Sequence, residues 1–146
     1  MNNKTILYIE DNPHNRRIVR KILGTQGYTV IEAEDGLVGY NMIRRLKPPL
    51  VLLDISLPSM HGIEIVGNVK ADEELWDIPV IALTASAMSG DRERFLEAGC
   101  DEYLSKPVQA LKLIDMVNSY YPKINTVEHK QLDVVTISNK RRLRYF

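Results

Sequence analysis

Four polar positions follow apolar, β-rich runs of the chain: the pair Glu10-Asp11, then Asp54, Thr84 and Lys106. Three carboxylates brought together repel, and each raises the pKa of the others unless a cation joins them. All-oxygen ligation suits a hard ion, so Mg²⁺ or Mn²⁺ is the expected guest of Glu10, Asp11 and Asp54. A carboxylate in such a cluster can act as a nucleophile and form an acyl phosphate, with Asp54 the central candidate. Lys106 would then hold a phosphoryl oxygen as a point charge, while the Thr84 hydroxyl donates a hydrogen bond to another. This set of residue types suits phosphoryl transfer, a reaction governed by positioning and charge stabilisation.

Each residue has a plainer reading when taken alone. An acidic pair commonly caps a helix, Thr84 could be a strand-end hydroxyl, and Lys106 a solvated lysine. The order of the elements is what unites them. Apolar runs alternate with helix-like stretches, the pattern of a parallel sheet covered on both faces. Strands are expected at 5–9, 28–33, 50–53, 79–83 and 102–104. Leu50-Val51-Leu52-Leu53 is wholly apolar, as a central strand buried on both faces requires. Asn12-Pro13 supplies an N-cap and a first-turn proline, and Ile18, Val19, Ile22 and Leu23 repeat at helical spacing before Gly27. Further helices are expected at 36–46, with Leu37, Tyr40 and Ile43 on one face, and at 63–71, 90–98 and 109–121. The result is a doubly wound α/β fold in which all the candidate residues lie at the carboxyl edge of the sheet, where such folds bind ligands.

With 146 residues, 45% of them hydrophobic and 26% charged, the chain is sized for one soluble domain. No apolar run approaches the roughly 18 residues of a membrane span, and no signal peptide is evident at Met1. The single Cys100 cannot form an internal disulfide, which fits a reducing, cytoplasmic setting. The zero net charge hides an asymmetry: residues 123–146 hold six basic and two acidic side chains, against 13 basic and 17 acidic in the first 122. An acidic body, 1–122, is thus expected to carry a basic extension, 123–146, in which 132–137 could form a strand.

Specific motifs now come into view. Ile9-Glu10-Asp11-Asn12, Leu53-Asp54-Ile55-Ser56-Leu57-Pro58-Ser59-Met60-His61-Gly62, Leu83-Thr84-Ala85 and Tyr103-Leu104-Ser105-Lys106-Pro107 occur in order. The set resembles the response-regulator receiver domains, over residues 4 to about 121. The stretch from Thr84 to Asp91, with Ala98-Gly99-Cys100, looks most like single-domain regulators of the DivK kind and is also similar to receivers of hybrid histidine kinases. The resemblance implies a flavodoxin-like five-stranded sheet of order 2-1-3-4-5, with Asp54 as phosphoacceptor. It implies metal binding by Asp11, Asp54 and the Ser56 backbone carbonyl, with Glu10 acting directly or through water. Thr84, the Ala85 amide and Lys106 would bind the phosphoryl group, Thr84 and Tyr103 would serve as the switch, and the Lys106–Pro107 bond would be cis. The phosphoryl donor would be a histidine kinase or histidine phosphotransfer protein, and the output a protein partner reached through the fourth helix, fifth strand and fifth helix. Glu10 stands where many members have Asp, which keeps the charge and the oxygen ligand but adds a methylene.

The remaining candidates receive blander readings. His61 reads as an exposed loop histidine, and His14 and His129 have less context still. Cys100 reads as a small buried residue, and Trp76 as packing in the loop before the fourth strand. The basic extension is too short for a DNA-binding output domain, so a partner-binding role is preferred to nucleic acid. A haloacid-dehalogenase-type hydrolase would need a second Asp where Ser56 stands. A degenerate scaffold would not need Asp11, Asp54, Thr84 and Lys106 together, and a relay function, passing phosphate onward from Asp54, stays open. Ser56 and Ser86, two residues beyond Asp54 and Thr84, flank the expected path of attacking water, and the family resemblance implies that such positions tune dephosphorylation.

Overall fold

A computed structural model describes residues 4–55, 57, 60–85 and 91–121. Ser56, Ser86, His129 and the basic extension, with the strand expected at 132–137, lie outside the described residues. The elements run β1 (Thr5–Ile9), α1 (Pro13–Gly24), β2 (Thr29–Ala33), α2 (Gly36–Leu46), β3 (Val51–Asp54), α3 (Gly62–Lys70), β4 (Val80–Thr84), α4 (Asp91–Ala98), β5 (Glu102–Ser105) and α5 (Ala110–Tyr120). The strands form one sheet in the order β2-β1-β3-β4-β5, and every pairing is parallel. Parallel neighbours need crossover helices, and the five helices cover both faces.

The two-residue period of the strands divides the core in two. Leu7, Ile9, Val51, Leu53, Val80 and Ala82 face one way, against Ile43, Ile65, Val66, Val69 and Phe95 from α2, α3 and α4. Ile6, Tyr8, Leu52, Ile81, Leu83 and Leu104 face the other way, against Val19 and Leu23 of α1 and Leu113 and Val117 of α5. Asn12 caps α1 by accepting from the amides of His14 at 2.8 Å and Asn15 at 3.0 Å, so the chain turns into the helix immediately after Glu10-Asp11. The far end of α5 is tied to β1 by the Tyr121 hydroxyl, which donates to the Thr5 carbonyl at 2.7 Å.

Two packing expectations are corrected. Leu37 does not share the inner face of α2 with Tyr40 and Ile43; it is 54% exposed, and the wholly buried positions are Gly36, Gly39 and Ile43. The helix lies so close to β1 that a Cβ on Gly39 would sit 2.5 Å from Ile9 Cδ1, so glycines turn inward and Leu37 turns out. A pattern of large apolar residues cannot register that approach. Trp76 is 58% exposed, because its neighbour Leu75 takes the core position. Ile18 is also partly out of the core, whereas Val19 and Leu23 are fully buried. The loop that holds Trp76 is fastened by Lys70, whose ammonium donates to the carbonyls of Trp76 at 3.1 Å and Ile78 at 2.8 Å and to Asp101 Oδ2 at 3.0 Å. The same Asp101 oxygen accepts the Val80 amide at 2.8 Å, which pins the start of β4.

The glycine packing yields a paired expectation. Gly39→Ala forces a methyl group into Ile9 and is expected to destabilise the fold by about 2 kcal/mol through overpacking. In Gly67→Ala, on the exposed side of α3 with nothing near its added Cβ, a helix-favouring residue replaces glycine and stabilises by about 0.5–1 kcal/mol. Urea unfolding midpoints of the two variants should therefore move in opposite directions.

Candidate functional site

The register of the sheet sets the site. Ile9 pairs with Leu53, Asp54 with Leu83, and Thr84 with Ser105, so β1, β3, β4 and β5 end at one level. Glu10 and Asp11 follow β1, Asp54 and Thr84 are the last residues of β3 and β4, and Lys106 follows β5. The Lys106 amide donates to the Thr84 carbonyl at 2.7 Å, extending the ladder by one residue. The Lys106–Pro107 peptide is cis. Glu10, Asp54 and Thr84 are buried, while Asp11 faces solvent.

One carboxylate oxygen from each of Glu10, Asp11 and Asp54 lies within 4.8 Å of the others. The Lys106 ammonium stands among them, 2.8 Å from Glu10 Oε1 and 3.4 Å from Asp54 Oδ2. Burial acts to raise the Glu10 pKa, but the Lys106 ammonium, the Asn12 amide and the Tyr8 hydroxyl together outweigh it and hold the carboxyl below its ordinary range. Burial acts to lower the Lys106 pKa, and its two carboxylate neighbours overcome this and raise it. Glu10 and Lys106 thus hold one another in their charged forms.

Three residues that the motifs did not single out complete the frame. The Tyr8 hydroxyl donates to Glu10 Oε1 at 3.0 Å. Arg16, on α1, donates from Nη1 to the Glu10 carbonyl at 2.8 Å and pairs through Nε with Glu32 Oε1 at 3.2 Å. Glu32, on β2, also pairs with Arg20. The Arg16–Glu32 pair therefore fastens the β1–α1 turn to the edge strand. The local sign of this in the sequence is a tyrosine among the aliphatic residues Ile6, Leu7 and Ile9 of β1.

Other predicted positions fall around this centre. His61 is exposed at the start of α3 and lines, with Asp11, Glu64 and Arg94, an open cleft of about 880 Å³. Tyr103 is half-buried on β5 with its ring 5.9 Å from that of Phe95, beside a shallow groove that includes Glu102, Met116 and Tyr120. His14 is exposed on the first turn of α1. Cys100 is buried, which pushes its thiol up to about 11, with Asp101 adding to the rise; the carboxylate cluster contains no thiol.

Residues 6–118 match the model of the response regulator receiver domain family, and the chain belongs to that family. It is 40% identical over 117 residues to the polar-differentiation response regulator DivK of Brucella anthropi, a match spanning 80% of this chain and 95% of that protein. Among solved structures, it is similar to the receiver domain of a sensor histidine kinase from Pseudomonas aeruginosa, which has a magnesium ion coordinated in its active site cleft. The TM-score is 0.74 at 34% identity, covering 82% of this chain and 98% of that one. The BeF3-activated N-terminal receiver domain of Klebsiella pneumoniae RstA aligns with a TM-score of 0.74 at 27% identity, covering 80% and 97% of the two chains. The protein is a DivK-like receiver domain of the two-component type, and such domains are signalling switches rather than ordinary enzymes.

The Glu10–Lys106 pair has a pH signature. Because the folded Glu10 pKa lies below its ordinary value of 4.5, its contribution is complete above that value and is lost as pH falls through the depressed one. Lys106→Met leaves Glu10 buried without its ammonium. At pH 7.5 and without divalent metal, a loss of about 3 kcal/mol is expected from urea unfolding. Burial then raises the folded Glu10 pKa, so the sign reverses: Glu10 binds a proton more readily folded than unfolded, and the deficit should shrink at pH 5. An equal deficit at both pH values would show that Lys106 does not govern Glu10.

Proposed function

We propose that this chain accepts a phosphoryl group on Asp54 from a phosphorylated histidine of a histidine kinase or phosphotransfer protein, with Mg²⁺ bound beside it, and signals through a protein partner. The observation that carries this reading is the convergence of Asp54, two further carboxylates and Lys106 at one edge of the sheet. The donor set suits a small hard dication: three carboxylates whose oxygens lie within 4.8 Å of one another. The ion bound in the related Pseudomonas receiver supports the same assignment. Asp11 and Asp54 would hold the metal with the Ser56 carbonyl, and Glu10 directly or through water. Held there, such an ion would offset part of the charge of the carboxylates and of the incoming phosphoryl group.

The residues of the chain then divide the work. An Asp54 carboxylate oxygen attacks phosphorus and forms the P–O bond of an acyl phosphate. The P–N bond to the donor histidine breaks, its electron pair passes to the imidazole nitrogen, and that nitrogen takes a proton from solvent. Lys106 holds a phosphoryl oxygen by charge, and the Thr84 hydroxyl and Ala85 amide donate to the others. The open cleft beside Asp11 offers the donor a path to the site. Thr84 drawn toward the phosphate and Tyr103 turned inward would alter the surface of α4, β5 and α5, where the partner binds. The domain would occupy 1–122, and the basic extension, 123–146, would contact a partner. No helix among the described residues is long and apolar enough to cross a membrane.

Intact mass after treatment with acetyl phosphate and Mg²⁺ tests the assignment. A gain of about 80 Da, one phosphoryl group, is expected for the wild type, with none for Asp54→Asn or after chelation. An equal gain in Asp54→Asn would move the phosphoacceptor elsewhere. No gain in the wild type, with acetyl phosphate or with a phosphorylated histidine kinase, would refute the proposal.

A further inference from the structure

We propose that Tyr8 is a positioning residue of the metal site: its buried hydroxyl fixes the Glu10 carboxylate in place, independently of Lys106. The inference rests on the metal reading above and adds a residue of this chain to it.

Tyr8 lies in the middle of β1, fully buried, between aliphatic neighbours Leu7 and Ile9. A tyrosine there places a hydroxyl in the core, which is costly unless it is hydrogen-bonded. Its partner is Glu10 Oε1 at 3.0 Å, two residues on and on the same side of the chain. A phenol carries its proton at neutral pH, and a carboxylate oxygen can only accept, so the Tyr8 hydroxyl is the donor of this bond.

Glu10 has one more rotatable bond than an aspartate, and an unanchored glutamate would sample several carboxylate positions. Here both oxygens are engaged. Oε2 accepts the Asn12 amide at 3.2 Å, and Oε1 accepts both Tyr8 and Lys106, the latter at 2.8 Å. These two donors to Oε1 differ in kind. Lys106 is an ammonium on a flexible stem, already 3.4 Å from Asp54, and the proposed chemistry draws it to a phosphoryl oxygen. The Tyr8 ring is locked by the core around α1 and α5. When Lys106 turns to the phosphoryl group, Tyr8 remains to hold Oε1. The extra methylene of Glu10 is also what reaches Tyr8: shortening the side chain by about 1.5 Å would carry the carboxylate out of hydrogen-bond range. Hydrogen bonds of this kind to a metal-site carboxylate are worth about 10- to 100-fold in metal affinity.

The test is isothermal titration of Mg²⁺ into the full chain as wild type, Tyr8→Phe, Glu10→Asp and the double variant, each verified as folded by circular dichroism. Tyr8→Phe is expected to weaken Mg²⁺ binding by about tenfold. In the Glu10→Asp background the same change should alter the dissociation constant by less than about twofold, because the hydroxyl no longer has a carboxylate to hold. A purely structural tyrosine would change the unfolding midpoint but not the affinity of the folded protein. Tyr8→Leu, matched in type to the neighbouring strand residues, carries the same expectation should Tyr8→Phe not fold. Equal affinity in the wild type and the Tyr8 variants overturns the proposal, as does an equal loss in both Glu10 and Glu10→Asp backgrounds. Absence of Mg²⁺ binding by the wild type is a different result: it overturns the metal reading and this inference with it.

Discussion

Lys106 reaches from the end of β5 across to the end of β1, 96 residues away in sequence, and places its ammonium 2.8 Å from Glu10 and 3.4 Å from Asp54. The acidic edge of the sheet depends on this contact. Glu10 is only 1% exposed, and burial by itself disfavours its ionised form; the ammonium is the principal group that reverses the balance. The same contact keeps Lys106 charged despite its own burial. A pair held this way is stable without a ligand, yet its cation sits on a flexible stem that a stronger anion can recruit. That combination of a settled resting state and a movable cation suits the phosphoryl-accepting role proposed above.

Everything beneath the contact serves to bring those ends together. β1, β3 and β4 are buried on both faces, and successive residues pack into two different cores, so a slip of one residue would exchange the side chains of the two cores. With register fixed, β1, β3, β4 and β5 finish at one level, and the residues at those ends become neighbours. The immediate turn into α1 at the Asn12 cap keeps Glu10 and Asp11 at that edge, and the Arg16–Glu32 pair ties the turn to β2. The close seating of α2 on β1 through Gly39 shows the same dependence on packing.

Much of this was legible in the sequence. The five βα units, their order and the positions of the acidic, threonine and lysine residues at strand ends all follow from periodicity, turn residues and motif order. The errors have a common cause. Spacing of large apolar residues groups Leu37 with Tyr40 and Ile43 on one face, whereas the buried face is Gly36, Gly39 and Ile43, its glycines admitting a close neighbour. Trp76, expected to pack in the loop before β4, stays exposed because the adjacent Leu75 fills the core position. Tyr8, Arg16 and Glu32 were overlooked as parts of the site because none carries a motif. Their role comes from what lies opposite them.

The sequence by itself determined the type of fold, the family and the residues at the strand ends, because apolar runs, turn residues and caps decide which segments become strands and helices and where each one stops, and the motifs stand at those ends. Only the tertiary structure decided that Glu10 uses both oxygens on protein donors, that Lys106 bridges Glu10 and Asp54, and that a buried tyrosine and an arginine brace the first acidic position. Those are distances between residues remote in the chain or hidden in its core. They are set by how closely the layers pack, a property that no local pattern of residue types encodes.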